Sequence, residues 1–413
     1  MNRLNHHFDV TRVIITSTFL AVIARYVPFV IDFGLFALTP VRVFMLLTFI
    51  LAVAAVVNNS QISISRTEVY LIFLLILLTL SGSWAWYKLA TVSEVFNIIF
   101  PVLLFFGITI SGIDRRMLNS IWTGFILFAV FLLAVFIISS VISPYRDFSL
   151  FRVSYNQFAR DVNAVLPFIL GTAFLHHRRY IRYLAVSVGI ALFTTIILVQ
   201  SRSGFVVSLL IVALVAVVYL YWTQVTGRDW RLRIVAVMTL ILSVISGALI
   251  SGEIVPNRLM RVPTSVQTFN SEVLGEYRYR MYDFALSTLA DNWLFGIGYG
   301  SFKPAMEAAT GKGLIIHNFM LSVWIGGGLF AVALLLLFCS SVFYSLLWLH
   351  RQSLQQGAQT RAIKLLIVLI AFIGLVTNGL VNPILLNPVL YLLAASSTAM
   401  LKMRRFKNSE TKL

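Results

Sequence analysis

Four arginines stand where a charge is costly. Arg25, Arg42, Arg160 and Arg202 lie within or at the ends of apolar runs. Charged side chains at membrane depth usually face a bundle interior or a wet cavity. A guanidinium matches carboxylate and phosphate oxygens in a bidentate fashion, so four of them converging on one side point to an anion site. A fifth, Arg278, lies in "EYRYRMYDFAL" and shares a helical stripe with Tyr282, Ala285, Leu286 and Leu289. An arginine on an apolar stripe needs a partner. Arg280 falls instead with Asp283, Ser287 and Asp291, a solvated face. His317, in "IIHNFML", opens another apolar run. A neutral imidazole there can take a proton from an attacking hydroxyl near neutral pH. One such histidine and one cysteine, Cys339, exclude a multi-histidine or thiolate metal site. The nearby acids form no DxD or paired motif, so metal-assisted transfer lacks its ligands. Arginines can neutralise a diphosphate leaving group in place of a divalent cation. The expected site therefore uses neither a metal nor a cofactor.

Each of these residues has a plainer reading. An arginine near an interface can snorkel, and "QSRSG" at 200–204 can be a hairpin tip touching headgroups. In the anion-site reading, Ser201 and Ser203 serve as helix N-caps and Gly204 permits a tight turn. The N–H groups of the helix that starts there favour an anion. In "VSYNQFARDVNAVLPF", Asn156 is the expected cap and Asp161 the expected ion-pair partner of Arg160. "GIGYG" at 296–300 resembles a phosphate-cradling loop only superficially, because no strand–helix unit accompanies it. A turn that brings backbone close to the site fits better.

The elements that must position these groups are membrane spans. The 413 residues are 59% hydrophobic, 14% aromatic and only 11% charged, with a net charge of +17 and mean hydropathy +0.91. Soluble domains carry about 25% charged residues. The expected fold is an all-α integral membrane protein forming a single polytopic domain over 1–413. Spans of about twenty residues are expected near 13–31, 36–57, 68–84, 93–111, 118–142, 161–175, 183–200, 204–222, 234–251, 316–348, 362–380 and 384–402. The tenth is long enough to be tilted, kinked or extended beyond the bilayer. The first reads as a retained span, since no small-residue cleavage site follows "MNRLNHHFDVTR". Basic clusters at 114–116, 176–182, 227–233, 350–352 and 402–407 fall on one side with both termini, which orients that side to the cytoplasm. The arginine-lined side is then outer. It carries one long loop, 252–315, with an amphipathic helix expected at 276–292; long loops of this kind tend to be functional. Scattered basic residues on an extracytoplasmic face give no nucleic-acid footprint. A transporter of similar span number is the competing class, but no repeat relates the halves.

In order and spacing, "NQFARDVNAVLPF", "QSRSG", "RYRMYDFAL", "GIGYGSF" and "HN" opening a span resemble the O-antigen ligase and O-antigen polymerase family over about 155–330. The resemblance implies a GT-C-like inner-membrane glycosyltransferase with its active site facing the periplasm. Its donor would be an undecaprenyl-diphosphate-linked glycan. Its acceptor would be lipid A–core for a ligase, or another lipid-linked repeat unit for a polymerase. The family's functional arginines match Arg202 and Arg278, and its essential histidine matches His317. Tyr282 stands where the family usually has tryptophan. Arg25, Arg42 and Arg160 are expected as further contacts to the donor diphosphate.

Overall fold

A computed structural model describes residues 10–32, 37–57, 63–111, 117–142, 148–151, 153–199, 201–226 and 276–410. The ninth expected span, 234–251, and the first part of the long loop lie outside these residues. The described chain is almost entirely helical. Eight helices are long and apolar enough to cross a membrane: Arg66–Ser83, Lys88–Ile110, Met117–Ile142, Tyr155–Leu175, Arg179–Leu198, Arg202–Thr223, Phe319–Gln355 and Gln359–Gly379. Three shorter apolar helices, Val13–Tyr26, Pro40–Ala55 and Pro388–Met403, coincide with three further expected spans. In lipid every backbone polar group must be satisfied internally, which turns each long apolar run into a helix.

The α-helices are α1 (Val10–Ile23), α2 (Pro40–Val57), α3 (Arg66–Leu80), α4 (Lys88–Ile110), α5 (Met117–Ile142), α6 (Tyr155–Leu175), α7 (Arg179–Leu198), α8 (Arg202–Thr226), α9 (Glu276–Asn292), α10 (Phe302–Thr310), α11 (Phe319–Gln355), α12 (Gln359–Gly379) and α13 (Pro388–Glu410). A small antiparallel pairing of Ile31–Asp32 (β1) with Ala37–Leu38 (β2) lies between α1 and α2. Hydropathy gave no sign of it.

Local sequence sets several helix starts. Ser65 and Glu68 form a capping box on α3, and Ser154 and Gln157 form another on α6. Ser154, not Asn156, is therefore the α6 cap. Asn156 instead accepts a hydrogen bond from Ser201 Oγ at 2.9 Å, which ties α6 to the start of α8. Ser201 also accepts from Gly204 N at 3.2 Å, as expected of a cap. Gly204 makes no turn; it lies within α8, where a Cβ would come within 2.7 Å of Ala159 on α6. Its smallness serves helix contact.

α6 is the central helix, packed by α5, α7, α8 and α12. It is buried along most of its length, including the polar Arg160, Asp161 and Asn163. Asn163 donates to Gly204 O at 2.9 Å and accepts from Ser208 Oγ at 2.6 Å, so both ends of its amide bond to α8.

The loop helices rest on a second, smaller core. Met281, Ala285 and Leu289 of α9 join Phe302, Ala305 and Met306 of α10 with Ile316 and Ile325. The buried stripe of α9 thus runs through Met281, Ala285, Thr288 and Leu289, while Leu286 is exposed, contrary to expectation. Arg280, Asp283, Ser287 and Asp291 form the exposed face. α11 is kinked at Gly328, which sits at φ 74° and ψ −170°. The turn after α9 fills this break: Ile297 N donates to Ile325 O at 2.7 Å, and Leu329 N donates to Trp293 O at 3.1 Å. A side chain at Gly328 would collide with the Leu294 carbonyl, and only glycine adopts that backbone readily.

Candidate functional site

At the outer end, in the sense set by the charge asymmetry, a cavity of about 530 Å³ opens between α4, α6, α10, the start of α11 and the 383–387 turn. That volume falls within the ~300–1,000 Å³ common for ligand sites. Its charged lining is Arg25, Arg160, Lys303 and Glu94.

Arg25 follows α1 in a short 3-10 turn. Its Nη1 donates to both carboxylate oxygens of Asp161, at 3.0 and 3.1 Å, and to Asn387 Oδ1 at 3.2 Å. Tyr26 Oη donates to Asp161 Oδ2 at 2.9 Å. Asp161 is fully buried. The expected Arg160–Asp161 pairing is therefore only loose: Arg160 Nε stands 4.0 Å from Oδ1, and Arg160 Nη1 donates to Pro383 O at 2.7 Å. Asp161 chiefly anchors Arg25, and Arg160 remains the less neutralised cation.

Two buried donors in this wall, Arg160 Nε and Asn387 Nδ2, have no hydrogen-bond partner. Asn387 Oδ1 already accepts from Arg25 and from Val389 N, which fixes the amide with its NH₂ pointing elsewhere. Buried donors left unmatched are uncommon and call for an explanation. Here both belong to a wall in which cations outnumber acids even when Asp161 is counted. Neither atom has surface open to the cavity, so an anion entering it would meet the excess charge of the wall rather than these two donors.

Glu94 is the one carboxylate in the cavity lining. Tyr299, buried beside it in the turn between α9 and α10, has its phenol pushed well above the ordinary tyrosine range by burial, with Glu94 adding to the effect. It stays protonated and can only donate or accept as a neutral group. Sequence reasoning passed over Glu94, Lys303, Tyr299 and Asn387. The polar stripe Ser93, Glu94 and Asn97 near the start of α4 was a legible sign of the first; nothing local marked Asn387.

The other expected residues lie as follows. Arg42, in the first turn of α2, donates to the Ala37 carbonyl and to Asn97 Oδ1, and sits 5.5 Å from the Phe100 ring centre. It is outside the cavity lining. Arg202, the first residue of α8, is exposed. Its turn is held against the cavity wall, because Asn382 Nδ2 donates to Ser203 Oγ at 3.2 Å and Pro383 takes the Arg160 bond. Arg278 occupies the first turn of α9, in helical register with Met281 and Ala285; its side chain lies outside the described structure. His317 is half-buried and immediately precedes Asn318, whose Oδ1 caps α11 by accepting from Leu321 N at 3.0 Å. Ile316 and Phe319 line the cavity, but His317 itself is not part of its lining.

Residues 187–336 match the family model described as O-antigen ligase. The match runs from α7 into α11 and takes in Arg202, Arg278 and His317. It supports, over that stretch, the resemblance drawn from the ordered motifs, and with it a multi-pass membrane enzyme of the O-antigen ligase and polymerase type. Among curated proteins, none matches the chain.

Proposed function

We propose that this chain is an inverting, metal-independent glycosyltransferase of the inner membrane. It moves a glycan from undecaprenyl diphosphate to an acceptor hydroxyl on the periplasmic side, most specifically O-antigen ligation to lipid A–core. The single observation that carries this reading is the cation-rich cavity lined by Arg25, Arg160 and Lys303, whose wall includes Ile316 and Phe319 on either side of His317 in sequence. A diphosphate would face the cationic side chains of the lining, Arg25, Arg160 and Lys303. Arg202, on a turn tied to the same wall, and Arg278, at the head of the loop helix, would complete its neutralisation. Arg42 would act at longer range.

In this mechanism His317 takes the proton of the acceptor hydroxyl as its oxygen attacks the anomeric carbon. The attack comes from the face opposite the diphosphate, so configuration inverts. The glycosidic oxygen–carbon bond to the diphosphate breaks, and its electron pair leaves with undecaprenyl diphosphate. Charge develops on that leaving group, and pre-positioned guanidinium groups stabilise it without reorganisation. The donor is already activated, so no nucleotide is consumed. Membrane lipids surround the bundle, and nucleic acid has no part.

Lipopolysaccharide from a deletion strain tests the assignment. Loss of all attached O-chain identifies a ligase, whereas one remaining repeat identifies a repeat-unit polymerase of the same family. Purified protein supplied with lipid-linked donor and acceptor tests the mechanism: full transfer by both Arg202→Ala and His317→Ala would sink it. Activity lost in EDTA and restored by a divalent ion would remove metal independence alone.

A further inference from the structure

The opposite end of the bundle carries a second cavity, about 300 Å³, in the groove between α3 and α11. Its lining grades from polar to apolar. Arg66, Tyr70, Ser340, Tyr344 and Trp348 supply donors, and Leu337 closes the end nearer the bundle middle. None of those five side chains makes a hydrogen bond or ion pair among the described residues. Among the described residues, no carboxylate lines the groove. The nearest, Glu68, is buried and committed to Lys402 Nζ at 2.5 Å and to Ser65 N at 2.6 Å. A groove with one guanidinium, several hydroxyl and indole donors and no acid selects an anion. The adjoining apolar wall selects one that carries a hydrocarbon tail.

Depth agrees with this. α11 runs from the outer end inward, so Tyr344 and Trp348 come after about a bilayer thickness of helix, at ~1.5 Å per residue. Aromatic rings with a polar edge concentrate at that interface. Arg66 opens α3 at the same level. Basic pockets between spans at the cytoplasmic side suit anionic lipid headgroups.

We infer that the groove formed by Arg66, Tyr70, Ser340, Tyr344 and Trp348 binds the phosphate headgroup of an anionic phospholipid of the cytoplasmic leaflet, with an acyl chain lying along Leu337. The site is separate from the outer cavity and does not depend on the transferase reading.

Native mass spectrometry of the full-length protein in detergent tests it. Phosphatidylglycerol and phosphatidylcholine serve as probes, and inorganic phosphate as competitor. The wild type is expected to retain phosphatidylglycerol over phosphatidylcholine by about fivefold. Arg66→Gln should abolish that preference, Arg66→Lys should keep most of it, and Tyr344→Phe should reduce it. A wild type without preference overturns the inference, as does an unchanged preference in Arg66→Gln. Should Arg66→Gln fail to fold, an unchanged preference in Tyr344→Phe overturns it. Displacement of the lipid by millimolar inorganic phosphate overturns the lipid as occupant.

Discussion

The two ends of the bundle each bury charge, and they do so differently. At the inner end Glu68 and Lys402 pair one to one, at 2.5 Å, with Glu68 also closing the α3 capping box. That cluster is balanced and complete. At the outer end Arg25 and Arg160 share a single acid, Asp161. That cluster retains positive charge, leaves two donors unmatched and opens onto a cavity. A balanced buried pair holds helices in register. An unbalanced one is costly unless an anion arrives to complete it, and that asymmetry separates a structural ion pair from a binding site.

The contrast can be broken most severely at Asp161. Asp161→Asn leaves Arg25, Arg160 and Tyr26 facing each other without their acid, and should cost about 3–5 kcal/mol of stability. Denaturant or thermal unfolding in detergent measures it; a loss within a few tenths of a kcal/mol would show that the cluster tolerates its own charge. Arg160→Gln should act on chemistry more than on folding. Glycan transfer by the purified protein should fall about 100-fold, while the unfolding midpoint changes far less than in Asp161→Asn. Retained transfer would reduce Arg160 to a packing residue. Ser201→Ala removes the α8 cap and the link to Asn156, at about 1 kcal/mol, and by loosening the Arg202 turn should lower transfer modestly. The smallest effect on transfer belongs to the inner end. Replacing both Glu68 and Lys402 by Leu and Met should leave stability within about 1–2 kcal/mol of wild type and transfer per folded molecule unchanged. Transfer that collapses in the double variant would place the inner pair in the reaction and end the contrast.

Much of the scaffold was readable from residue patterns, and the misses share one cause. The helix at 276–292 appears with the same ends, because its apolar stripe, charged face and flanking sequence all agree. α4 and α6 begin earlier than hydropathy indicated, at Lys88 and Tyr155 rather than near 93 and 161. The part of α6 before 161 carries Gln157 and Arg160, polar residues that line the cavity and lower local hydropathy. The site thus hid the start of a helix that builds it. Asn156 was mistaken for a cap because capping chemistry is shared by Ser, Thr, Asp and Asn; the Ser154–Gln157 spacing was the better sign.

By itself, the sequence determined that the chain would be a helical membrane protein and that a helix would stand at 276–292. Those follow from local rules: apolar length and helical period. Only the tertiary structure decided which charges meet. Arg25 finds Asp161 at a sequence separation of 136 and Asn387 at 362. Within an apolar run every face of a helix has similar hydropathy, so the run does not encode which face turns to lipid and which to a neighbour. Helix rotation and packing choose that face, and with it whether an arginine ends in a headgroup, as the wall of a cavity, or against a carboxylate on another helix.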